Sequence, residues 1–262
     1  MKNKLKNIYS ISKLFGFDPL RFLNTIRGIP WYFRNLSELK RQKGNDTEFL
    51  LGNKYPILDE HNLSSGTISG QYFHQDLLVA RRIYENRPKR HVDIGSRIDG
   101  FVAHVAVFRE IEIIDIRPQE SKVKHITVHK ADLMQLSNNM ENYCDSISSL
   151  HAIEHFGLGR YGDPIDYNGH LKAINNIHKM LIAGGSFYFS VPIGMQRIEF
   201  NGLRVFSLKY LLDVLKNKFE IIHFSYVNDE GELFENIELS KIGIDSNFNC
   251  DCGCGIFELT KI

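Results

Sequence analysis

Cysteine is scarce, tryptophan occurs once, and no long apolar run exists. Four cysteines in 262 residues do not make a disulfide scaffold, so a reducing, cytoplasmic setting is the default expectation. No stretch reaches the roughly 18 apolar residues of a membrane span. The opening Met1–Lys6 is charged, but no continuous apolar segment follows, which argues against a secretory signal. An excess of either charge is missing too. The 32 Lys and Arg face 31 Asp and Glu, so the balance does not point to nucleic acid. Repeats and low-complexity tracts are absent. The remainder, 43% apolar and 24% charged, is ordinary for a globular protein. The length suits one large domain, or a domain with an appendage.

The charge is unevenly placed. Residues 1–45 hold ten Lys or Arg against Asp18 and Glu38, a local +8, which leaves −7 on residues 46–262. Phe15, Phe17, Phe22, Trp31, Tyr32 and Phe33 are interleaved with the basic residues. Two readings follow: a helical cap that packs its aromatics, or a basic arm for peripheral membrane contact or an anionic substrate. Residues 44–70 are rich in turn formers and read as irregular. Residues 1–68 are therefore expected to be an N-terminal extension, and 69–262 the main domain.

From Gln71 the pattern becomes regular. Phe73, Leu77, Ala80 and Tyr84 recur at helical spacing, and Arg87-Pro88 ends that helix. Short apolar runs then alternate with helical segments. Strands are expected at Val92–Ile94, Ile111–Asp115, Ile126–Val128, Asp145–Leu150 and Phe187–Val191, then Phe219–Tyr226 and Gly255–Leu259. Helices are expected at Phe101–Phe108, Asn168–Leu181 and from Ser207 to Leu215. Such alternation gives a mostly parallel α/β sheet. The last two strands lack a helix between them and are expected to pair antiparallel.

Acids end three consecutive strands. Asp93 and Gly95 come at the carboxyl end of the first, where open parallel sheets bind ligands. A carboxylate there suits an ammonium group, and helix N-terminal amides suit a carboxylate. The turn Gly95-Ser96-Arg97-Ile98-Asp99-Gly100 lacks the middle glycine of a dinucleotide fingerprint. Asp115 ends the second strand, where an acid accepts both hydroxyls of a ribose. Arg117 follows it, to pair with Asp115 or face solvent. After the third strand, Asp132 can accept from an adenine amino group while Leu133 packs on the ring. Each of these, taken singly, is also an ordinary turn.

With these residues the chain resembles the Rossmann-like (class I) S-adenosylmethionine-dependent methyltransferases over about residues 70–262. The resemblance rests on Val92-Asp93-Ile94-Gly95, Asp115, Ala131-Asp132-Leu133, Asp145–Leu150, Leu181-Ile182-Ala183-Gly184-Gly185-Ser186 and the two-strand ending. More narrowly it is similar to a sparsely characterised branch found in nematodes and in bacterial surface-polysaccharide clusters. The words carrying that likeness are Tyr72–Leu77, Asp93–Arg97 and Glu154–Pro164. The resemblance implies a seven-stranded, mostly parallel sheet with an antiparallel last strand, plus the N-terminal helical extension. It implies S-adenosyl-L-methionine as cofactor, held by His74, Gln75, Asp93, Gly95, Ser96, Arg97, Gly100, Asp115, Ile116, Arg117, Asp132, Leu133, Leu150 and His151. Ser96 and Arg97 stand in for the missing glycine. A polar face toward solvent is the other reading of His74 and Gln75.

The loop after the fourth strand carries the expected chemistry. His151-x-x-Glu154-His155 matches an inverted zinc-protease motif. That motif needs a helix, and His151 follows directly on a strand, so it is set aside. In the methyltransferase reading, His155 is the catalytic base and Glu154 its orienting partner. Arg160 and Tyr161 contact substrate, as do Asn201 and Arg204 after the fifth strand. Starting the next helix is the alternative for Glu154 and His155. No metal is expected, although Asp163, Asp166 and Glu154 form a candidate oxygen set. Cys250, Cys252 and Cys254 read as an exposed thiol edge rather than a metal cluster. The expected activity is O-methylation of a small-molecule acceptor, a sugar or phosphate-bearing surface-glycan precursor. The alternative is a non-catalytic cofactor- or partner-binding module of a glycan-assembly complex. A nicotinamide-dependent epimerase is disfavoured by Arg97.

Overall fold

A computed structural model of the chain describes residues 9, 11–61, 63–117, 120, 122–135 and 140–262. They form two compact units, Met1–Thr67 and Ile68–Ile262. In the first unit, helix α1 (Pro19–Lys43) starts at Asp18, whose carboxylate accepts from the amides of Leu20 and Arg21. Proline at the first helical position suits that start. The segment after the helix folds back on it, with Arg21 paired to Asp59 at 2.6 Å and Trp31 4.4 Å from the His61 ring. Phe15, Phe17, Phe22 and Phe33 are all exposed.

The second unit is a sheet between two layers of helices. Helix α2 (Gln71–Asn86) precedes β1 (His91–Ile94); a π-type turn at Ile98–Val102 then runs into the short helix α3 (Ala103–Ala106). Next come β2 (Ile111–Asp115), β3 (Ile126–Lys130), β4 (Cys144–Leu150), α4 (Gly169–Met180) and β5 (Leu181–Ile193). A ribbon of β6 (Arg197–Glu199) and β7 (Leu203–Val205) leads to α5 (Leu208–Leu215), β8 (Phe219–Val227), β9 (Leu233–Phe234), α6 (Lys241–Ser246) and β10 (Gly253–Lys261). The main sheet runs β3-β2-β1-β4-β5-β10-β8-β9. Strands β3, β2, β1, β4 and β5 are parallel, and β10 is antiparallel to both β5 and β8.

The Rossmann-like α/β class is as expected, including the antiparallel last strand, although a helix, α6, does stand between β8 and β10, contrary to expectation. The sheet has eight strands instead of seven, because β9 adds an edge pair to β8. The helix expected at Phe101–Phe108 is shorter and opens in the π-type turn. Helix α2 forms as expected, but with another face inward. Of the expected stripe, Ala80 is buried while Phe73, Leu77 and Tyr84 are exposed; Gln75, Asp76, Leu78, Val79 and Ile83 make up the rest of the buried face. Alternation along each strand feeds both layers. On one face Phe187, Phe189 and Phe257 pack with Ile174 and Ile177 of α4 and Leu211 of α5. On the other, Tyr188 and Ile256 pack with Val79 and Ile83 of α2 and Phe101.

Candidate active site

The strand order reverses between β1 and β4, so the chain departs in opposite directions from their carboxyl ends. That divergence opens a crevice. Two adjoining cavities fill it. The first, about 550 Å³ counting the space open to solvent, is walled by Ile94, Ile114, Leu133, Ala152 and Phe156, with Asp115 and Asp132 among its lining residues. The second, a wider and more open cleft of about 1400 Å³ counting the space open to solvent, is lined by Tyr72, Arg97, Asp99, Glu154, Arg160 and Cys252, among others. Gly95, Arg117, His151, His155 and Tyr161 border both. Gly95 has φ +69°, and a Cβ there would sit 3.2 Å from the Ala152 methyl. Glycine alone fits this turn without strain.

Of the expected cofactor residues, the structure brings Gly95, Asp115, Ile116, Arg117, Asp132, Leu133 and His151 to the first cavity. Ser96 and Arg97 reach only the second. Asp115 is already engaged: Arg117 Nε and Nη2 donate to its Oδ1 and Oδ2 at 2.9 and 2.6 Å. Asp132 accepts the Met134 amide at 2.9 Å, the short-range bond that starts the next turn.

Asp93 is a correction. It is fully buried and lies beneath the crevice rather than on its wall. Its Oδ1 accepts the Ser96 amide at 2.9 Å, and its Oδ2 accepts the hydroxyls of Ser96 and Ser148 at 2.6 and 2.5 Å. The Leu150 amide then donates to Ser96 Oγ at 3.0 Å. Asp93 thus ties the β1 turn to β4. Burial still pushes its pKa up to about 6 against the pull of those serines.

His74, Gln75, Gly100 and Leu150 also lie off both cavity walls. Gln75 is buried and accepts from Ser190 Oγ at 2.6 Å; Leu150 is core. Gly100 leaves room for Asp76, whose Oδ2 lies 2.6 Å from where a Cβ would stand. His74 packs edge-on against Phe73.

Among the expected substrate residues, Arg160 and Tyr161 line the second cavity, whereas Asn201 is exposed and off it. Arg204 is buried and spent on backbone. Its Nη1 donates to the carbonyls of Glu154 and Phe156 at 3.3 and 2.6 Å, and its Nη2 to those of Asp166 and Tyr167 at 3.4 and 3.2 Å. It clamps the Glu154–Tyr167 loop instead of reading a substrate. Asp163 shapes the same loop from within, accepting the amides of Gly157, Gly159 and Tyr161. Asp166 pairs with Lys172. Among the described residues no group of three or more His, Cys, Asp or Glu is placed to hold a metal ion. Cys250 and Cys254 are buried and only Cys252 is partly open, so the expected exposed thiol edge is not there.

Glu154 and His155 sit in a short 3₁₀ turn, Ile153–His155, and both are buried. His155 Nδ1 lies 2.7 Å from the Gly202 carbonyl. That bond requires the proton on Nδ1 and leaves the Nε2 lone pair free. The residue that orients His155 is therefore Gly202, in place of Glu154, whose Oε1 lies 3.6 Å from both His155 Nε2 and His151 Nδ1. Desolvation, then Arg160, pushes His155 down to about 4. Desolvation and His155 push His151 down to about 3. Burial drives Glu154 up to about 8, so near neutrality all three are uncharged. His151 Nε2 and Glu154 Oε2 are buried without partners. Buried polar atoms of this kind at a cavity wall mark a place for a polar ligand.

The Glu154 shift has a testable sign. Folded, the carboxyl holds its proton up to about 8; unfolded, it releases it near 4.5. Across that window the folded state binds the extra proton, so stability falls as pH rises. The depressed histidines act in the opposite sense, but only below their unfolded value of 6.5. Between pH 6.5 and 8, urea unfolding is expected to show a loss of up to about 1.4 kcal/mol per pH unit. Glu154→Gln should flatten that slope. An equally steep slope in the variant would remove Glu154 as its source.

Tyr72, Met134, Phe156 and Cys252 line the cavities without having been singled out as ligand residues. Tyr72 belongs to the Tyr72–Leu77 stretch that carries the family likeness, and Arg97 lies over its ring at 5.0 Å. Phe156 and Met134 carry no signal separating them from core residues.

Comparison with solved structures places the fold. The N-methyltransferase NodS from Bradyrhizobium japonicum WM9 matches at TM-score 0.50 and 15% identity, over 72% of this chain and 96% of that one. A Burkholderia thailandensis 1,6-didemethyltoxoflavin-N1-methyltransferase, solved with bound 1,6-didemethyltoxoflavin and S-adenosylhomocysteine, matches at 0.51 and 12%, over 71% and 78%. The [4+2]-cyclase SpnF matches at 0.51 and 17%, over 72% and 80%. No curated protein matched in sequence. The family described as "Caenorhabditis protein of unknown function, DUF268" matches residues 102–250, more than half of the chain, and the chain belongs to that family.

Proposed function

We propose that the protein is a cytoplasmic S-adenosylmethionine-dependent methyltransferase that methylates an oxygen of a small polar acceptor. The observation that carries this reading is the first cavity: an apolar slot with Asp115 and Asp132 along it and a glycine turn at its inner end. The residues present fit the cofactor. Asp115 would take a ribose diol, and Asp132 an adenine amino group over Leu133. His151 Nε2, buried and unpartnered on the wall common to both cavities, is free for the polar end. When bound, the cofactor supplies an electrophilic methyl group.

The chain's own residues do the rest. An acceptor in the second cavity would meet the first across their shared wall of Gly95, His151 and His155, and alignment supplies much of the rate of a displacement. His155 Nε2 takes the acceptor's hydroxyl proton while Gly202 holds the Nδ1 proton. Neutral Glu154 beside it avoids burying a charge. The Arg204 clamp keeps this loop in place. A sugar or phosphate-bearing glycan precursor is our reading of the acceptor, from the family likeness and the polar lining of the second cavity.

Calorimetric titration with S-adenosylhomocysteine tests the cofactor half. Micromolar binding is expected, weakened about 10- to 100-fold in Asp115→Ala, as suits loss of hydrogen bonds to a charged group. Asp132→Ala is expected to weaken it less, and Asp93→Asn to act through stability. Unchanged affinity in both cavity variants would sink the proposal. Binding without transfer to any acceptor would favour a non-catalytic, cofactor-binding module.

A further inference from the structure

Arg117 stands between two uses. It borders both cavities, and its backbone amide and Nε both donate to Asp115 Oδ1, at 2.8 and 2.9 Å, while Nη2 takes Oδ2. Each carboxylate oxygen offers two lone pairs. Oδ1 is thus full, and a ribose diol that needs both oxygens must displace the guanidinium.

The second cavity has a place for it. Arg117 already lies over the Tyr161 ring at 4.5 Å, and Arg160 lies over the same ring at 5.1 Å. Arg160 donates to the Gly202 carbonyl at 2.9 Å, and among the described residues it makes no ion pair with a carboxylate. Arg97 completes the basic wall. Facing these are Asp99, exposed and paired with Arg97 at 3.3 Å, and buried Glu154. The unpartnered Glu154 Oε2 and His151 Nε2 border the same space.

We propose that Arg117 is released from Asp115 when a ribose binds there and joins Arg160 in gripping an anionic group, phosphate or carboxylate, on the acceptor. This rests on the methyltransferase reading above. Planar guanidinium forks suit such oxyanions. The arrangement makes cofactor and acceptor binding mutually favourable, because coupling between two sites is reciprocal.

The test is titration of S-adenosylhomocysteine with and without inorganic phosphate at matched ionic strength. In the native protein phosphate should tighten binding about fivefold, the low end of typical coupling. In Arg117→Ala, binding without phosphate should be at least as tight as native, and the phosphate effect should vanish. Arg160→Ala should reduce the phosphate effect. Weaker phosphate-free binding in Arg117→Ala, or a phosphate effect absent from the native protein or persisting in that variant, would overturn the proposal. Failure of S-adenosylhomocysteine to bind the native protein at all would instead overturn the cofactor reading beneath it.

Discussion

His155→Ala is expected to lower methyl transfer by about 10²- to 10⁴-fold, the usual worth of a positioned general base. S-adenosylhomocysteine should still bind. The imidazole is fixed by Gly202 on Nδ1 and presents its free Nε2 beside Glu154. Its pKa, pushed down to about 4, keeps it neutral above that pH. Protonation of His155 is therefore not expected to slow the reaction between pH 5 and 7. His155→Asn separates chemistry from architecture, since its amide can still donate to Gly202. Loss of activity in both variants with native thermal stability in the second supports the base. Native turnover in the asparagine variant would exclude it.

Arg204→Ala should be the most damaging of the substitutions to stability. Four carbonyls lose a charged donor in a buried setting. Hydrogen bonds to charged groups contribute about 1.5–3 kcal/mol each, and unsatisfied buried carbonyls add a penalty. These terms are not additive, and a net loss of about 3–5 kcal/mol is expected. For a unit of this size that lowers the melting temperature by roughly 6–20 °C. Arg204→Lys should recover only part, because a compact ammonium cannot span four acceptors. A melting temperature within about 2 °C of native in Arg204→Ala, on the same scaling, would show that the loop holds itself.

The positions of the main strands along the chain were legible because short apolar runs alternate with helical spacings and are bounded by turn formers. The acids at the ends of β1, β2 and β3 were legible as positions, but not as exposures. Asp93 looked like a ligand contact because sequence shows where a carboxylate stands along a strand. It does not show that Ser96 and Ser148 meet it there. Ser148 comes from a strand 55 residues away, and no local pattern announces it. Helix α2 misled similarly. Its buried face carries Gln75 and Asp76, so of an apolar stripe drawn through Phe73, Leu77, Ala80 and Tyr84 only Ala80 lies on it. Arg204 illustrates the converse. An arginine on the substrate side of a sheet invites a ligand role, yet the carbonyls that satisfy it belong to a loop whose path only the fold defines. The histidine loop was readable because His151, Glu154 and His155 follow a strand end directly. The choice of Gly202 as orienting partner required the β6–β7 ribbon to turn back over it.

The most direct test of the central claim is a crystal structure of the protein with S-adenosylhomocysteine. The account predicts the ribose hydroxyls on Asp115, the adenine between Leu133 and Asp132, and the sulfur facing His155 across the shared wall. Nucleoside density outside this slot, or a slot still closed by the Arg117–Asp115 pair at saturating ligand, would contradict it.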